Sequence, residues 1–522
     1  MSFMKSAVTV GGLTMVSRVL GFVRDQLVAF VIGTGPVAEA FAVAQRFPNL
    51  FRALFAEGAF NAAFVPQFAR RVEGEGPAEA HAFAVEVFSV LLTWLVLFSA
   101  VAIAAMPLIM YVIAPGFSHS SEKFDLAVEL TRICFPYLLF MSLTALQSGV
   151  LNSLHRFTAA AAAPILLNIA LIGANVVVWI LGTGNSEATG RILAWGVFVA
   201  GVAQYMLLAV SCRRAGMPLV PRWPKMTPGV KKVLLLSVPG IVSGGIMQIN
   251  LVIATMIATT IPHAVAWLYY ADRLYQLPLG VIGVAIGVVL LPELSRRLRA
   301  GDVTGALSSQ NRALELSIFL TLPAAAALMI MPGPILSALF EHGEFRHADT
   351  IAVSWAVAAF ASGLPAFSMT KVFQPGFYAR EDTRTPMNYA LVSVAVNIVG
   401  SLLLSRFYGH VGIAVATSLA AWVNAFLLAL TLTRRGLYQP DDRLLQRLPR
   451  ILLSTAIMAA VIVGGLWLLH HAFAEGSPAI TRLVALIALV GAGGAAYFGA
   501  AFATRAMTIG ELKSMLRRTR KT

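Results

Sequence analysis

The stretch SRVLGFVRDQ, residues 17–26, places two arginines and an aspartate inside an apolar segment. The 522-residue chain is 58% hydrophobic and only 12% charged, which excludes an ordinary soluble enzyme. An ionised side chain at the centre of a bilayer costs about 2.5–3.5 kcal/mol by insertion scales, so such residues usually have a function. The question raised by this stretch is therefore what Arg18 and Arg24 bind.

Apolar stretches long enough to cross a bilayer recur to the end of the sequence. The first continues past residue 32 without a small-residue cleavage pattern, so we interpret it as a membrane helix and not as a cleaved signal. We predict an all-α polytopic membrane protein with about 14 transmembrane helices and no folded soluble domain. The predicted spans are 6–33, 37–69, 85–113, 126–153, 159–182, 190–212, 230–260, 264–295, 311–333, 349–379, 386–405, 410–433, 449–471 and 479–503.

The basic residues fall mostly on one side of the predicted membrane. With a cytoplasmic N-terminus, the inside segments hold 27 Lys and Arg, the outside segments hold five, and seven lie within spans. This distribution follows the positive-inside rule and predicts that both termini are cytoplasmic. The net charge of +15 is therefore mostly a matter of topology, together with attraction of the basic residues to anionic lipid at the inner surface, and does not require nucleic acid as a partner.

Several features recur at a spacing of about 225 residues, which indicates an internal repeat. The matched pairs are Ser17 and Ser243, Arg52 and Arg273, Arg156 and Arg384, and Asn168 and Asn397. We predict two six-helix lobes related by a pseudo-two-fold axis, with two additional C-terminal helices; chance similarity between apolar segments is the alternative. The predicted regions are an N-terminal lobe (1–213), a cytoplasmic linker (214–229), a C-terminal lobe (230–434), helices 13 and 14 (435–503) and a basic cytoplasmic tail (504–522).

Cations outnumber carboxylates within the predicted spans, which points to an anion site. The charged residues of the first two spans are Arg18, Arg24, Asp25, Glu39, Arg46, Arg52 and Glu57, and later spans add Asp272, Arg273 and Lys371. Arginine meets phosphate oxygens with two parallel hydrogen bonds and stays protonated when poorly hydrated. Several arginines around one cavity would therefore fit a diphosphate better than a monocarboxylate.

Helix geometry limits which of these residues can converge. Ser17 and Arg24 are seven apart and share a helix face. Arg18 and Arg24 are about 120° apart around a straight helix, so they converge only if the helix breaks near Gly21. Glu57 would pair with a cation on another span or cap a helix break.

Other roles stay open for several cations. Arg18 could extend to the membrane surface as an interface residue. Arg273 follows the aromatic sequence WLYYAD, which is typical of a membrane interface. Arg46 could simply neutralise Glu39, which lies seven residues earlier on the same face.

The sequence contains no sign of an enzyme or a cofactor. It lacks the Gly-rich phosphate loop of ATP-driven pumps and any His/Cys/Asp cluster with metal-ligand spacing. Its two cysteines, Cys134 and Cys212, both fall in predicted spans. We therefore predict a transporter without a metal or cofactor.

Four motifs resemble the MurJ (MviN) family of lipid II flippases, which belongs to the multidrug/oligosaccharidyl-lipid/polysaccharide exporter superfamily. They are SRVLGFVRD (17–25), NLFRALFAEGAFNAAFVP (49–66), YYADRLYQLPLGVIGVA (269–285) and PGFYAREDTRTP (375–386). The resemblance covers nearly the whole chain in order. It implies a V-shaped pair of lobes in the bacterial inner membrane that alternates between inward-open and outward-open states.

The same resemblance implies roles for individual residues. Four residues match the family's essential arginine positions around a cationic cavity for the diphosphate of lipid II: Arg18, Arg24, Arg52 and Arg273. Residues at acidic or supporting positions are Ser17, Asp25, Glu39, Glu57 and Asp272. The last two helices are expected to form a groove for the polyprenyl tail, and cell-wall synthesis and division proteins are expected partners alongside membrane lipids.

One departure from some family members concerns sodium coupling. Those members carry carboxylates in the seventh and eleventh helices, whereas 233–262 and 386–405 contain neither Asp nor Glu here. A hard cation needs oxygen ligands, usually with some negative charge. We therefore hypothesise that transport is driven by the membrane potential.

Three other functions compete with lipid II transport. An exporter of another anionic lipid-linked oligosaccharide could use the same arginines. A drug or metabolite antiporter of the same superfamily would be expected to carry an acidic ion relay and few cavity arginines. A non-transporting scaffold for wall-synthesis proteins would have no need of intramembrane charges.

Overall fold

The computed structural model describes residues 3–52, 59–508 and 510, and within these ranges the chain is helical and forms no β-strand. The helices are α1 (Phe3–Ile32), α2 (Pro36–Arg52), α3 (Ala59–Gly74), α4 (Pro77–Ala104), α5 (Met106–Ile113), α6 (Ser121–Cys134), α7 (Tyr137–Ser153), α8 (Thr158–Leu181), α9 (Glu187–Arg214), α10 (Pro228–Thr259), α11 (Ala264–Arg299), α12 (Val303–Ile330), α13 (Pro332–Leu339), α14 (His347–Ser362), α15 (Leu364–Tyr378), α16 (Arg384–Arg434), α17 (Asp442–Leu468) and α18 (Ala479–Ala503). The predicted all-α membrane fold is confirmed.

Within the described residues, which leave out 53–58 of the second span, each predicted span coincides with a helix or with two consecutive helices. Nine segments of the described chain are long and apolar enough to cross a membrane, and one of them, α16, covers two predicted spans. The remaining spans correspond to α1, to α2 with α3, to α10 and to α11. The fourteen predicted spans are thus matched in order.

A glycine divides α16 into its two spans. Gly409 has φ +55° and ψ −134°, a conformation that side chains with a Cβ rarely adopt. Nearby, a Cβ on Gly412 would lie 2.4 Å from the backbone carbonyl of Leu404. Both glycines are therefore needed for the tight reversal between residues 405 and 410.

Prolines break some membrane helices and not others. Pro136 lies between α6 and α7, and Pro365 lies in the first turn of α15, immediately after α14 ends. In contrast, Pro323 lies inside the continuous helix α12. Membrane helices tolerate an internal proline where neighbouring groups satisfy the freed carbonyl.

The first of two compact units comprises Met1–Ala266 together with Gly343–Phe345. Within it α1 packs against α8, α2 against α6, α7 and α8 against α9, and α10 against α3. One buried cluster of this unit joins α7, α8 and α9 through Leu151, Ala163, Leu208 and Cys212. This packing holds α1 against α8 and α2 against α6.

The second unit comprises Trp267–His342 and Arg346–Thr522. Here α12 packs against α15 and α17, α16 against α14 and α15, and α17 against α18. Because lipid tails are as apolar as leucine, such helices associate through close packing and hydrogen bonds. An example is Tyr497, whose hydroxyl donates to the Phe319 carbonyl at 2.5 Å. The lobe boundaries given above follow the sequence repeat and stay a prediction.

Candidate functional site

Arg24 and Asp25 form a buried ion pair in α1. The Nε and Nη2 atoms of Arg24 donate to Asp25 Oδ1 at 3.0 and 2.6 Å, and the two side chains are 9% and 7% exposed. The third nitrogen, Nη1, donates to Oδ1 of Asn168 in α8 at 3.0 Å. Every guanidinium nitrogen thus has an acceptor, as a buried charge requires.

Asn168 joins this ion pair to the preceding turns of α1. Its Nδ2 donates to the Ser17 carbonyl at 2.8 Å and lies 3.4 Å from the Ser17 hydroxyl. A Cβ on Gly21 would contact the same amide at 3.6 Å, so α1 and α8 approach closely here. The sequence repeat singled out Asn168, but no functional role was predicted for it. The available signal was an amide within an apolar span, where a polar group needs a partner.

The structure does not bring Arg18 to Arg24. Helix α1 is continuous through Gly21, so the break that would let them converge is absent. Arg18 is exposed, whereas Arg24 is buried. The two arginines therefore lie on different faces of α1.

Glu39, in the first turn of α2, is 2% exposed and forms an ion pair with Lys123 of α6. Its Oε1 also accepts a hydrogen bond from the Val265 backbone N–H at 3.3 Å. We expected Glu39 to hold an arginine, with Arg46 as one possibility. The difference arises because the start of α2 packs against α6, which brings Lys123 to Glu39.

Arg46 instead reaches α10. Its Nη1 donates to Thr255 Oγ1 at 3.3 Å, beside a cavity of about 20 Å³, room for roughly one water molecule. The cavity is lined by Val43, Arg46, Phe47, Leu50, Ile113, Leu251, Val252 and Thr255. Arg46 therefore contacts α10, not the carboxylate seven residues earlier.

Two predicted site residues cannot be placed at the level of side chains. Arg52 is the last residue of α2, and only its backbone is described. Glu57 lies outside the described residues. Their roles stay predictions.

Arg273 lies in α11, within the second unit. Its guanidinium carbon is 4.8 Å from the ring centroid of Tyr269, and its Nη2 donates to the Tyr269 hydroxyl at 3.4 Å. The ring holds the cation through its π face. The adjacent Asp272 accepts a hydrogen bond from Gln276, one turn further along the helix.

An apolar cavity of about 250 Å³ lies among α12, α17 and α18. Its lining is apolar except for the Tyr497 hydroxyl, which is bonded to the Phe319 carbonyl. The lining residues are Phe319, Leu320, Pro323, Ala324, Ala327, Met331, Met458, Ile462, Val490, Gly493, Gly494, Tyr497 and Phe498. Such a surface suits a hydrocarbon chain.

Comparison with known proteins identifies the family. The family model for "Lipid II flippase MurJ" matches residues 28–483. The chain is 47% identical to "Probable lipid II flippase MurJ" of Rhizobium tropici, covering 100% of this chain and 98% of that protein. It is 36% identical to "Lipid II flippase MurJ" of Burkholderia cenocepacia, covering 88% and 90%.

Solved structures show the same fold. "Lipid II flippase MurJ, inward closed conformation" superposes with a TM-score of 0.77 at 23% identity, covering 95% of this chain and 98% of that one. An inward-facing multidrug transporter of the MATE family and MOP superfamily gives a TM-score of 0.69 at 16% identity, covering 82% and 98%. The family model and the full-length relatives together show that this chain belongs to the lipid II flippase MurJ family, whose members are multi-pass membrane transporters and not enzymes.

Proposed function

We propose that this protein flips lipid II from the inner to the outer face of the bacterial cytoplasmic membrane by alternating access. The observation that carries this proposal is the 47% identity over the full length to relatives named for that activity. The buried Arg24 cluster supports it, because a protein without a polar cargo has little use for an intramembrane arginine. Both termini are cytoplasmic in this proposal.

Arginines bind the diphosphate of lipid II in this mechanism. Arg18, Arg24, Arg52 and Arg273 are the proposed ligands; because Arg18 and Arg24 lie on different faces of α1, they contact the diphosphate at different stages of its passage. Arg24 is held here by one carboxylate oxygen and one amide oxygen. Diphosphate oxygens are acceptors of the same kind and carry more charge, so they can replace these partners as the substrate enters.

The carboxylates neutralise these arginines when the substrate has left. Asp25 does so for Arg24, to which it is already bonded. Glu57 and Asp272 are proposed to support the other cations, and Ser17 supports Arg24 through Asn168. Glu39, bonded to Lys123, is proposed to hold α2 against α6 as the lobes move.

The polyprenyl tail occupies the cavity among α12, α17 and α18. Its apolar walls suit an isoprenoid chain, because transfer of an apolar chain from water to an apolar site is favourable. The volume of about 250 Å³ is too small for the whole tail, so the chain extends from it into the lipid. The headgroup and the tail are thus bound by separate parts of the protein.

The membrane potential drives transport in this proposal. An inside-negative potential of about 100 mV favours outward movement of one negative charge by about 2.3 kcal/mol, and lipid II is anionic. The predicted spans 230–260 and 386–405 carry no carboxylate for sodium. If the flux collapsed on removing sodium while the potential was clamped, this part of the proposal would be wrong.

The test is complementation of a bacterium depleted of its own flippase. We expect the wild type to rescue growth, and Arg24→Ala, Arg52→Ala and Arg273→Ala to fail although they reach the membrane in normal amounts. Arg132→Ala is the matched control, because Arg132 is an exposed arginine of α6 that donates to the Ile103 carbonyl. It should rescue as well as wild type.

The outcomes separate the competing functions. An inserted wild type that does not rescue would favour another anionic lipid-linked substrate. Arginine variants that all rescue would show that these residues are structural and would overturn the diphosphate site.

A further inference from the structure

The connection between α9 and α10 carries an exposed surface that the proposed transport does not use. The connection runs from residue 215 to 227 and contains Pro218, Pro221 and Pro224. Proline at every third position keeps this segment out of a helix. We call residues 215–227 the α9–α10 linker.

One side of the α9–α10 linker is fixed to the protein. The Arg222 backbone N–H donates to Ser89 Oγ at 2.9 Å, and Thr227 Oγ1 donates to Glu86 Oε2 at 2.8 Å. The Leu219 side chain is buried. Ser89 and Glu86 belong to the first turns of the predicted span 85–113, so these bonds hold the linker at the level where a membrane span begins.

The other side of the linker is apolar and exposed. The exposed fractions of Val220, Trp223 and Met226 are 61%, 86% and 63%. Hydrogen bonds to α4, from the Arg222 backbone and the Thr227 side chain, hold the linker on both sides of Trp223. Three large apolar side chains are thus presented outward by an anchored segment, at a depth where tryptophan is enriched in membrane proteins.

The charge around the linker is of one sign. Residues 213–232 contain no Asp or Glu, and their six basic side chains are all exposed. These are Arg213, Arg214, Arg222, Lys225, Lys231 and Lys232. Basic side chains beside exposed apolar ones complement the anionic headgroups of an inner leaflet.

We propose that the α9–α10 linker lies on the anionic inner surface of the membrane, with Val220, Trp223 and Met226 inserted among the headgroups. Arg222 and Lys225 bind the phosphates of anionic phospholipids. The contact keeps the N-terminal end of α10 at a fixed depth, because Thr227 also caps that helix. This inference concerns bulk phospholipid and does not depend on the transported substrate.

The test places an environment-sensitive fluorophore on Met226→Cys in lipid nanodiscs. Both native cysteines are buried, so labelling is confined to the new thiol. The matched control is Glu73→Cys, an exposed position at the end of α3. The discs contain either phosphatidylcholine alone or phosphatidylcholine with phosphatidylglycerol.

We expect the Met226 probe to show blue-shifted emission and quenching by headgroup-labelled lipid, most strongly in discs with phosphatidylglycerol. Arg222→Gln with Lys225→Gln should remove the difference between the two lipid compositions. Trp223→Ser should reduce quenching in both. Thermal unfolding of each variant should match wild type, because the replaced side chains are exposed.

Two results would overturn the proposal. One is a Met226 probe as solvent-exposed as the Glu73 probe in both lipids. The other is a blue shift that appears only when cytosolic protein is added, which would make the surface a protein-docking site. The Met226 measurement on the otherwise unchanged chain decides between these results even if a multiple variant folds poorly.

Discussion

Arg24 of α1 donates through Nη1 to the side-chain carbonyl of Asn168 in α8 at 3.0 Å. The same asparagine donates to the Ser17 carbonyl at 2.8 Å. One amide therefore orients the buried guanidinium and joins two helices. A hydrogen bond to a charged group contributes about 1.5–3 kcal/mol.

Asn168→Ala should lower the initial rate of lipid II flipping in proteoliposomes roughly tenfold, because the amide holds the Arg24 guanidinium in position before the diphosphate replaces it. Asn175→Ala is the matched control. Asn175 lies two turns further along α8, is similarly buried, and donates to the Leu171 carbonyl of its own helix. Equal rates for the two variants would contradict a positioning role for Asn168.

Substitutions of Glu39 and Lys123 should have strongly non-additive effects on the free energy of unfolding. Glu39 is 2% exposed and the Lys123 side chain is 15% exposed, so removing one partner leaves a buried charge and should cost about 3–5 kcal/mol. Glu39→Gln and Lys123→Met should each lower the unfolding temperature in detergent. The double variant should lose much less than the sum of the two.

The ion pair between Arg191 and Glu129 is the control for this comparison of single and double variants. These side chains are 43% and 44% exposed and bond at 2.8 Å, so their coupling should be about 0.2–1 kcal/mol. Additive losses at Glu39 and Lys123 would show that the pair does not hold α2 to α6.

The sequence predicted the helices better than their contacts. Span positions follow from apolar length, and even the reversal in α16 was expected between 405 and 410. The Arg24–Asp25 ion pair was within reach of sequence reasoning, because the two residues are adjacent in the chain. In contrast, Lys123 is far from Glu39 in sequence and lies in a segment expected outside the membrane. Only the packing of α2 on α6 brings them together, and no spacing rule within one sequence gives that packing.

The turn before α16 should give the protein an acid-sensitive contact. Asp382 accepts hydrogen bonds from the Thr385 backbone N–H at 3.0 Å and hydroxyl at 2.7 Å, and from Arg435 at 2.8 Å. These bonds lower the pKa of Asp382 below its ordinary value, and the two from Thr385 contribute most. The stabilisation is complete above the unfolded pKa of about 3.9 and disappears as the pH falls through the lower folded value.

Asp382→Asn should therefore lower the unfolding temperature at neutral pH, and the difference from wild type should shrink as the pH falls below about 3.9 and through the lower folded pKa. Asp442→Asn, at an exposed position in the first turn of α17, is the control and should change little at either pH. A deficit of Asp382→Asn that persisted in acid would show that charge is not the origin of the contact's stability.

The cavity among α12, α17 and α18 can be filled from α18 without disturbing the helix. Gly494 lines this cavity, and a Cβ there meets no atom within 4 Å. Gly494→Leu should therefore block the proposed tail site and lower the flipping rate. Gly491→Leu is the control, since Gly491 also has open space around it but does not line the cavity.

Both substitutions replace glycine by a better helix former, which favours the helix by up to about 1 kcal/mol. A loss of stability should therefore not explain a difference between the two variants. The informative comparison uses lipid II and a short-chain analogue in the same proteoliposomes. If Gly494→Leu slows the long-chain substrate and spares the short one, the cavity binds the tail. If Gly494→Leu lowers the flipping rates of both substrates equally, the leucine acts on the motion of α18, and the polyprenyl tail binds elsewhere.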